Sequence, residues 1–125
     1  MTENQIAKTI VNACIKIHKA LGPGLFESVY ENILKTELSR EGLRVEAQKA
    51  IPVFWEGERL EQGFRADLVI ENKVIIEVKS VEYILKVHQK QLLTYLRLTN
   101  MKLGLLINFN EALLKDGLQR IVNNL

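Results

Sequence analysis

The pattern Glu-x-Lys occurs twice, at Glu71-Asn72-Lys73 and at Glu77-Val78-Lys79, and only the surroundings separate the copies. The first lies in an expected turn, where charges are solvated. The second ends an apolar run, where the two-residue period of a strand points Glu77 and Lys79 to one face. If residues 71–73 are the loop of a hairpin, pairing is symmetric about Asn72 and sets Asp67 directly opposite Glu77. Two carboxylates meeting across strands repel unless a cation or a proton lies between them. Their hard oxygens suit Mg2+ or Mn2+, and Lys79 can point at the same spot. The competing arrangement is a strand-end salt bridge of Lys79 with Asp67 or Glu77.

Two helices must bring further groups to this place. At about 100° per residue, Glu27 and Glu31 share an arc with Leu34 and Leu38, which is the side that packs on the core. Two more carboxylates therefore face inward, as site residues or as a pair held at the edge by a nearby Arg or Lys. Along the run from Ile84 to Asn100, His88, Gln91 and Tyr95 fall within an arc of roughly 60°, flanked by Leu85, Leu92 and Leu96, with Lys86, Lys90 and Arg97 opposite. Polar groups on a packed face need partners, so this stripe is an internal network or the lining of a site. For His88 the simpler outcome is a half-buried ring bonded to backbone.

The elements that position these groups follow from periodicity. Thr2 and Gln5 resemble a capping box, and Ile6, Ile10, Ala13, Ile17 and Leu21 recur at helical spacing, giving a helix from about Glu3 to Leu21. Gly22-Pro23-Gly24 ends it, and a second helix runs from about Phe26 to Glu41, stopped by Gly42. Arg44 to Trp55 reads as extended, with Pro52 marking an edge or a bulge, and Glu56-Gly57 as a turn. Strands are expected over Phe64 to Ile70 and Val74 to Ser80, a helix over Ile84 to Asn100, and a strand over Leu103 to Phe109, parallel to Val74 to Ser80 by a crossover. Continuous apolar runs such as Leu68-Val69-Ile70 and Val74-Ile75-Ile76 imply helices on both sheet faces. A short helix around Gly117 to Asn123 is expected to close the chain. The fold class is thus α/β, with a mixed four- to five-stranded sheet between helical layers, in a single domain over residues 1–125.

Composition restricts the partners. The 125 residues, 47% hydrophobic, can bury a core without disulfides. Seventeen Lys and Arg against 15 Asp and Glu leave a net charge of +2, a weak attraction for a polyanion. The lone cysteine, Cys14, sits among apolar residues and reads as core filling in a reducing compartment. No run approaches the 20 or so apolar residues of a membrane span, and Met1 to Lys8 lacks a secretory layout, so a soluble, cytoplasmic protein is expected.

Asp67, then Glu77-x-Lys79 on the next strand, then Gln91 and Tyr95 on the following helix, resemble the PD-(D/E)xK nuclease superfamily. The segment from Gly24 through Glu27 and Tyr30 to Glu31 further resembles its small GxxExxY family, as do the stretches around Asp67, Gln91 and Leu106 to Phe109. Ala66 stands where the superfamily's name has proline. The resemblance implies a restriction-endonuclease-like α/β/α core in which Asp67 and Glu77 bind Mg2+ or Mn2+, with the Val78 carbonyl as a third ligand and Glu31 holding the metal or its water. Lys79 would orient the attacking water and offset charge in the transition state. Gln91 would position the lysine or a phosphate, Tyr95 would support it, and Glu27 would act one layer out.

The expected activity is metal-dependent hydrolysis of phosphodiester bonds in nucleic acid, with DNA the leading substrate and RNA left open, and with a homodimer or partner protein adding grip. One alternative is a catalytically silent nucleic-acid-binding or regulatory module of the same fold. Another is an interaction domain whose acids pair with Arg44, Arg65 or Lys79.

Overall fold

The computed structural model describes residues 1–125, the side chains of residues 61 and 62 excepted. Helix α1 (Glu3–Leu21) starts at the expected capping box: the Gln5 amide donates to Thr2 Oγ1 at 3.2 Å and the Thr2 amide to Gln5 Oε1 at 2.8 Å. Its stripe buries Ile6, Ile10, Ala13, Cys14 and Ile17. Leu21, expected on that stripe, is 45% exposed, because the helix ends at Gly22, whose φ of +68° turns the chain away. Helix α2 (Glu27–Arg40) buries Tyr30, Leu34 and Leu38, the arc that the sequence assigns to the core.

Strands β1 (Val45–Trp55) and β2 (Glu58–Ile70) form a long antiparallel hairpin, and β3 (Val74–Lys79) pairs antiparallel with β2. The crossover through helix α3 (Lys86–Thr99) sets β4 (Leu103–Asn108) parallel to β3, as expected. β5 (Leu118–Val122) completes a five-stranded mixed sheet in the order β1-β2-β3-β4-β5. One core lies between the sheet and α1 with α2, the other between the sheet and α3. The architecture is the expected three-layer α/β/α, restriction-endonuclease-like. Close approach seats α3: a Cβ on Gly104 of β4 would come 2.8 Å from Leu92 Cγ. Among the described residues no helix is long and apolar enough to cross a membrane.

Two elements differ from the sequence reading. β2 begins at Glu58 rather than Phe64, since Trp55 pairs with Glu58 and Val53 with Leu60 around the Glu56-Gly57 turn. Much of this arm is exposed, so it lacks the alternation that marks a half-buried strand. Pro52 does mark a bulge, with the register shifting between Ile51 and Val53. The closing element over 118–122 is a strand, not a helix. Leu118 packs on one core and Ile121 on the other. Their three-residue spacing imitates a helical stripe, but the open edge of β4 recruits the segment as a strand.

The hairpin has one more irregularity. Ala47 and Leu68 pack on the core beneath α1 and α2, whereas Ile51 and Ala66 pack beneath α3. In an unbroken strand Ala66 and Leu68 would share a face. The pleat therefore reverses on both strands at one place, between the paired rungs Ala47–Leu68 and Lys49–Ala66. Gln48 and Asp67 occupy that place, and Gln48 has a φ of +49°.

Candidate active site

The pairing of β2 with β3 is symmetric about Asn72, through Ile70–Val74, Val69–Ile75 and Leu68–Ile76. The next rung would set Asp67 against Glu77, as the sequence predicts, but the ladder stops there. In place of a strand-to-strand backbone bond, the Val78 amide donates to Asp67 Oδ2 at 2.9 Å. β2 thus parts from β3 at Asp67, while β3 continues beside β4 to Lys79. The acids sit in this fork. The other Glu-x-Lys copy lies in the turn, where Glu71 accepts the Arg44 amide at 3.0 Å.

Glu77 is 8% exposed, and its Oε1 is a buried oxygen without a hydrogen-bond partner. Burial first, then the negative charge of Asp67 and a hydrogen bond shared with it, push the Glu77 carboxyl up to about 9, while the Lys79 charge pulls the other way. Lys79 is half-buried and takes part in none of the ion pairs among the described residues, which join Lys16 and Arg40 to Glu37 and Arg44 and Lys49 to Glu46. Neither Arg44 nor Arg65 is ion-paired to the site acids: Arg44 pairs with Glu46, and Arg65 donates to the Gln48 carbonyl at 3.3 Å.

Glu31, from α2, reaches the fork from the opposite helical layer. Gln48 Nε2 donates to Glu31 Oε1 at 2.8 Å and to Asp67 Oδ1 at 3.3 Å, so one amide bridges the two carboxylates. Burial raises the Glu31 carboxyl above its ordinary range, against the Gln48 hydrogen bond and with help from the Asp67 charge. Gln48 is absent from the sequence reading, which treats its segment only as extended. Its position three residues from the strand start carried no signal, because what brings it inward is the left-handed backbone at that residue.

On the α3 side Tyr95 is buried, its ring stacked on Phe64 with centroids 3.5 Å apart. Burial, and then the charges of Glu77 and Asp67, raise its hydroxyl, while Gln91 beside it acts in the opposite direction. Gln91 itself is exposed. His88 is half-buried and its Nδ1 accepts the Leu85 amide at 3.1 Å, capping the start of α3. That is the backbone-bonded histidine weighed from sequence. Glu27 Oε2 accepts the Ser80 amide at 3.1 Å, tying α2 to the end of β3. Tyr30 donates to the Gly22 carbonyl, accepts the Leu25 amide and stacks on Phe109, which fixes the loop before α2. Asn108, fully buried and also unassigned from sequence, accepts the Val81 amide at 3.1 Å and donates to the Val81 carbonyl at 2.9 Å. With the Phe109 amide on the Lys79 carbonyl at 2.9 Å, it holds the strand end that carries the lysine.

Among the described residues no three His, Cys, Asp or Glu side chains converge to hold a metal ion. Asp67 and Glu77 are neighbours, and Glu31 stands one amide away. The pair still fits a hard cation by its chemistry: an orphaned buried carboxylate oxygen beside a second carboxylate lacks a positive charge.

No curated protein and no solved structure matches the chain. The profile of the PD-(D/E)XK nuclease superfamily matches residues 4–121, nearly the whole chain and every element of the fork. With a sheet that opens at an aspartate, and with Glu77-x-Lys79 on the next strand, the chain belongs to the PD-(D/E)XK nuclease superfamily.

Proposed function

We propose that the chain is a single catalytic domain that hydrolyses phosphodiester bonds of nucleic acid, DNA in particular, with a divalent cation, Mg2+ or Mn2+, and that within the superfamily it falls in the GxxExxY family. The observation that carries the reading is the buried, partnerless Oε1 of Glu77 beside the Asp67 carboxylate. A cation held by these two carboxylates would supply positive charge where negative charge builds on the phosphate oxygens. The Val78 carbonyl would be a further donor, and Glu31 would hold the cation or its water.

The chain's own groups would do the rest. Lys79, in no ion pair among the described residues, would place its ammonium against the phosphate and the attacking water. Gln91 and the Tyr95 hydroxyl would orient a phosphate oxygen or the lysine. Glu27, Tyr30 and Asn108 would keep α2 and the end of β3 in place. These tasks support the family reading, since Glu27 and Tyr30 of the motif are tethers that bring Glu31 to the acids. The reducing compartment inferred from Cys14 fits its burial as a free thiol.

The test is cleavage of plasmid and single-stranded DNA with Mg2+ or Mn2+, beside Asp67→Ala and Lys79→Ala. Cleavage by the wild type that both variants lose is expected. Equal activity in all three, or none in the wild type with either ion, overturns the reading.

A further inference from the structure

The arm of the β1–β2 hairpin reaches past the sheet, because β2 pairs with β3 only from Leu68 to Ile70. At the Pro52 bulge the arm carries an open cleft of about 370 Å3, lined by Arg59 and Arg65 with Ile51, Pro52, Leu60 and Phe64. Two arginines thus border one concavity. Phe54 lies directly opposite Arg59 on the ladder, so their side chains share a face, and Phe54 is 60% exposed.

The cleft adjoins the acidic fork through two contacts. Arg65 bonds the carbonyl of Gln48, whose side-chain amide holds Glu31 and Asp67. Phe64, in the cleft wall, stacks on Tyr95, whose hydroxyl feels the charges of Glu77 and Asp67. Arg65 alternates with Phe64 and so lies on the other face of β2. A flexible anionic chain with one phosphate at the arginines would pass round the free edge of the strand to bring the next part of its backbone to the acids.

We infer that the Arg59–Arg65 cleft is a phosphate subsite for a single-stranded segment of nucleic acid, with an adjoining base stacked on Phe54. This rests on the proposed nuclease reading and assigns its substrate class. Guanidinium forks match phosphate oxygens in pairs. An exposed aromatic ring can stack only on a base that is itself unstacked, which a single strand offers and a duplex does not. The net charge of +2 gives no broad attracting field, so grip must come from local sites such as this one.

The only tryptophan, Trp55, is 68% exposed at the tip of the same arm, so its fluorescence reports occupancy. The full chain is titrated with a single-stranded oligonucleotide, as DNA and as RNA, and with the duplex, in EDTA so that nothing is cleaved. Arg59→Ala and Arg65→Ala are each expected to weaken single-strand binding about tenfold, and Phe54→Leu to remove the preference over duplex. Lys8→Ala, an equal loss of charge on α1, should change affinity less than twofold, separating a built subsite from general electrostatics. Both arginines are exposed, so their variants should fold; circular dichroism checks this, and Arg59→Lys, which keeps the charge but not the fork, should be intermediate.

Duplex bound as tightly as single strand, or arginine variants no weaker than Lys8→Ala, overturns the inference. So does a wild-type dimer in sedimentation that Phe54→Leu dissolves, which would make the arm a contact between copies. The two readings fail separately. Intact cleavage with unchanged binding in the arginine variants removes the subsite alone, whereas arginine-dependent binding without cleavage in Mg2+ or Mn2+ removes the nuclease reading alone.

Discussion

The side-chain amide of Gln48 lies 2.8 Å from Glu31 Oε1, and the same nitrogen is 3.3 Å from Asp67 Oδ1. Two acids from different layers of the fold are thus held by one neutral donor, on a residue whose φ of +49° is unfavourable for a side chain.

Gln48→Gly separates these effects. Glycine relieves the backbone by about 1 kcal/mol but removes a donor to two carboxylates, worth about 1.5–3 kcal/mol when they are charged. The variant should be less stable at pH 7, with the deficit shrinking as the Glu31 carboxyl, raised by burial, is protonated. Denaturant melts at pH 4 and pH 7 check this, and a deficit independent of pH would contradict the account.

Glu77 gives the protein an inverted pH response at this site. Its carboxyl is raised from 4.5 to about 9 in the fold, so above pH 4.5 the unfolded chain gives up a proton that the folded chain keeps. Its contribution to stability is complete below about pH 4.5, falls by at most about 1.4 kcal/mol per pH unit, and levels off above pH 9. Glu77→Gln should therefore gain on the wild type between pH 5 and pH 8. A melting-temperature difference that stays flat over that range would count against the burial of an uncompensated acid.

Magnesium should act on the same group with the opposite consequence. Addition of Mg2+ at pH 8 is expected to raise the melting temperature of the wild type and to leave Glu77→Gln and Asp67→Ala nearly unmoved. Equal stabilisation of all three would place the ion elsewhere.

Lys79→Ala should divide cation binding from turnover. In the proposed reaction the lysine would supply charge to the reacting phosphate and not to the acids' ligation, so cleavage should fall about 10²–10³-fold while calorimetric Mg2+ affinity holds or rises slightly. Loss of both together would mean that Lys79 is needed to build the site.

Glu27 and Glu31 share one helical arc but have different tasks. Glu27→Ala strands the Ser80 amide and should cost about 1–3 kcal/mol of stability. Glu31→Gln should cost little stability and lower Mg2+ affinity about tenfold, as removal of an outer partner does. Interchanged phenotypes in melts and titrations would reverse the assignment.

The acidic fork was legible in the sequence wherever strand and helix periods were regular. The symmetric hairpin about Asn72, the second Glu-x-Lys at a strand end and the inward arc of α2 follow from spacing alone. Gln48 and Asn108 were not legible, because a left-handed residue inside a strand and a buried amide that ties down a loop depend on tertiary contacts. The strand over Leu118 to Val122 was hidden for a similar reason: three-residue spacing fits a helix until a neighbouring edge offers hydrogen bonds.

The reversal of the pleat at Gln48 and Asp67 gives the arm a modular character. Matched residues can be added to or removed from both strands near the tip without shifting the pairs on the core side of that junction, from Ala47–Leu68 to Val45–Ile70. Reach toward the proposed substrate could thus be lengthened or trimmed while the geometry around the acids is kept, an engineering joint between proposed grip and proposed chemistry.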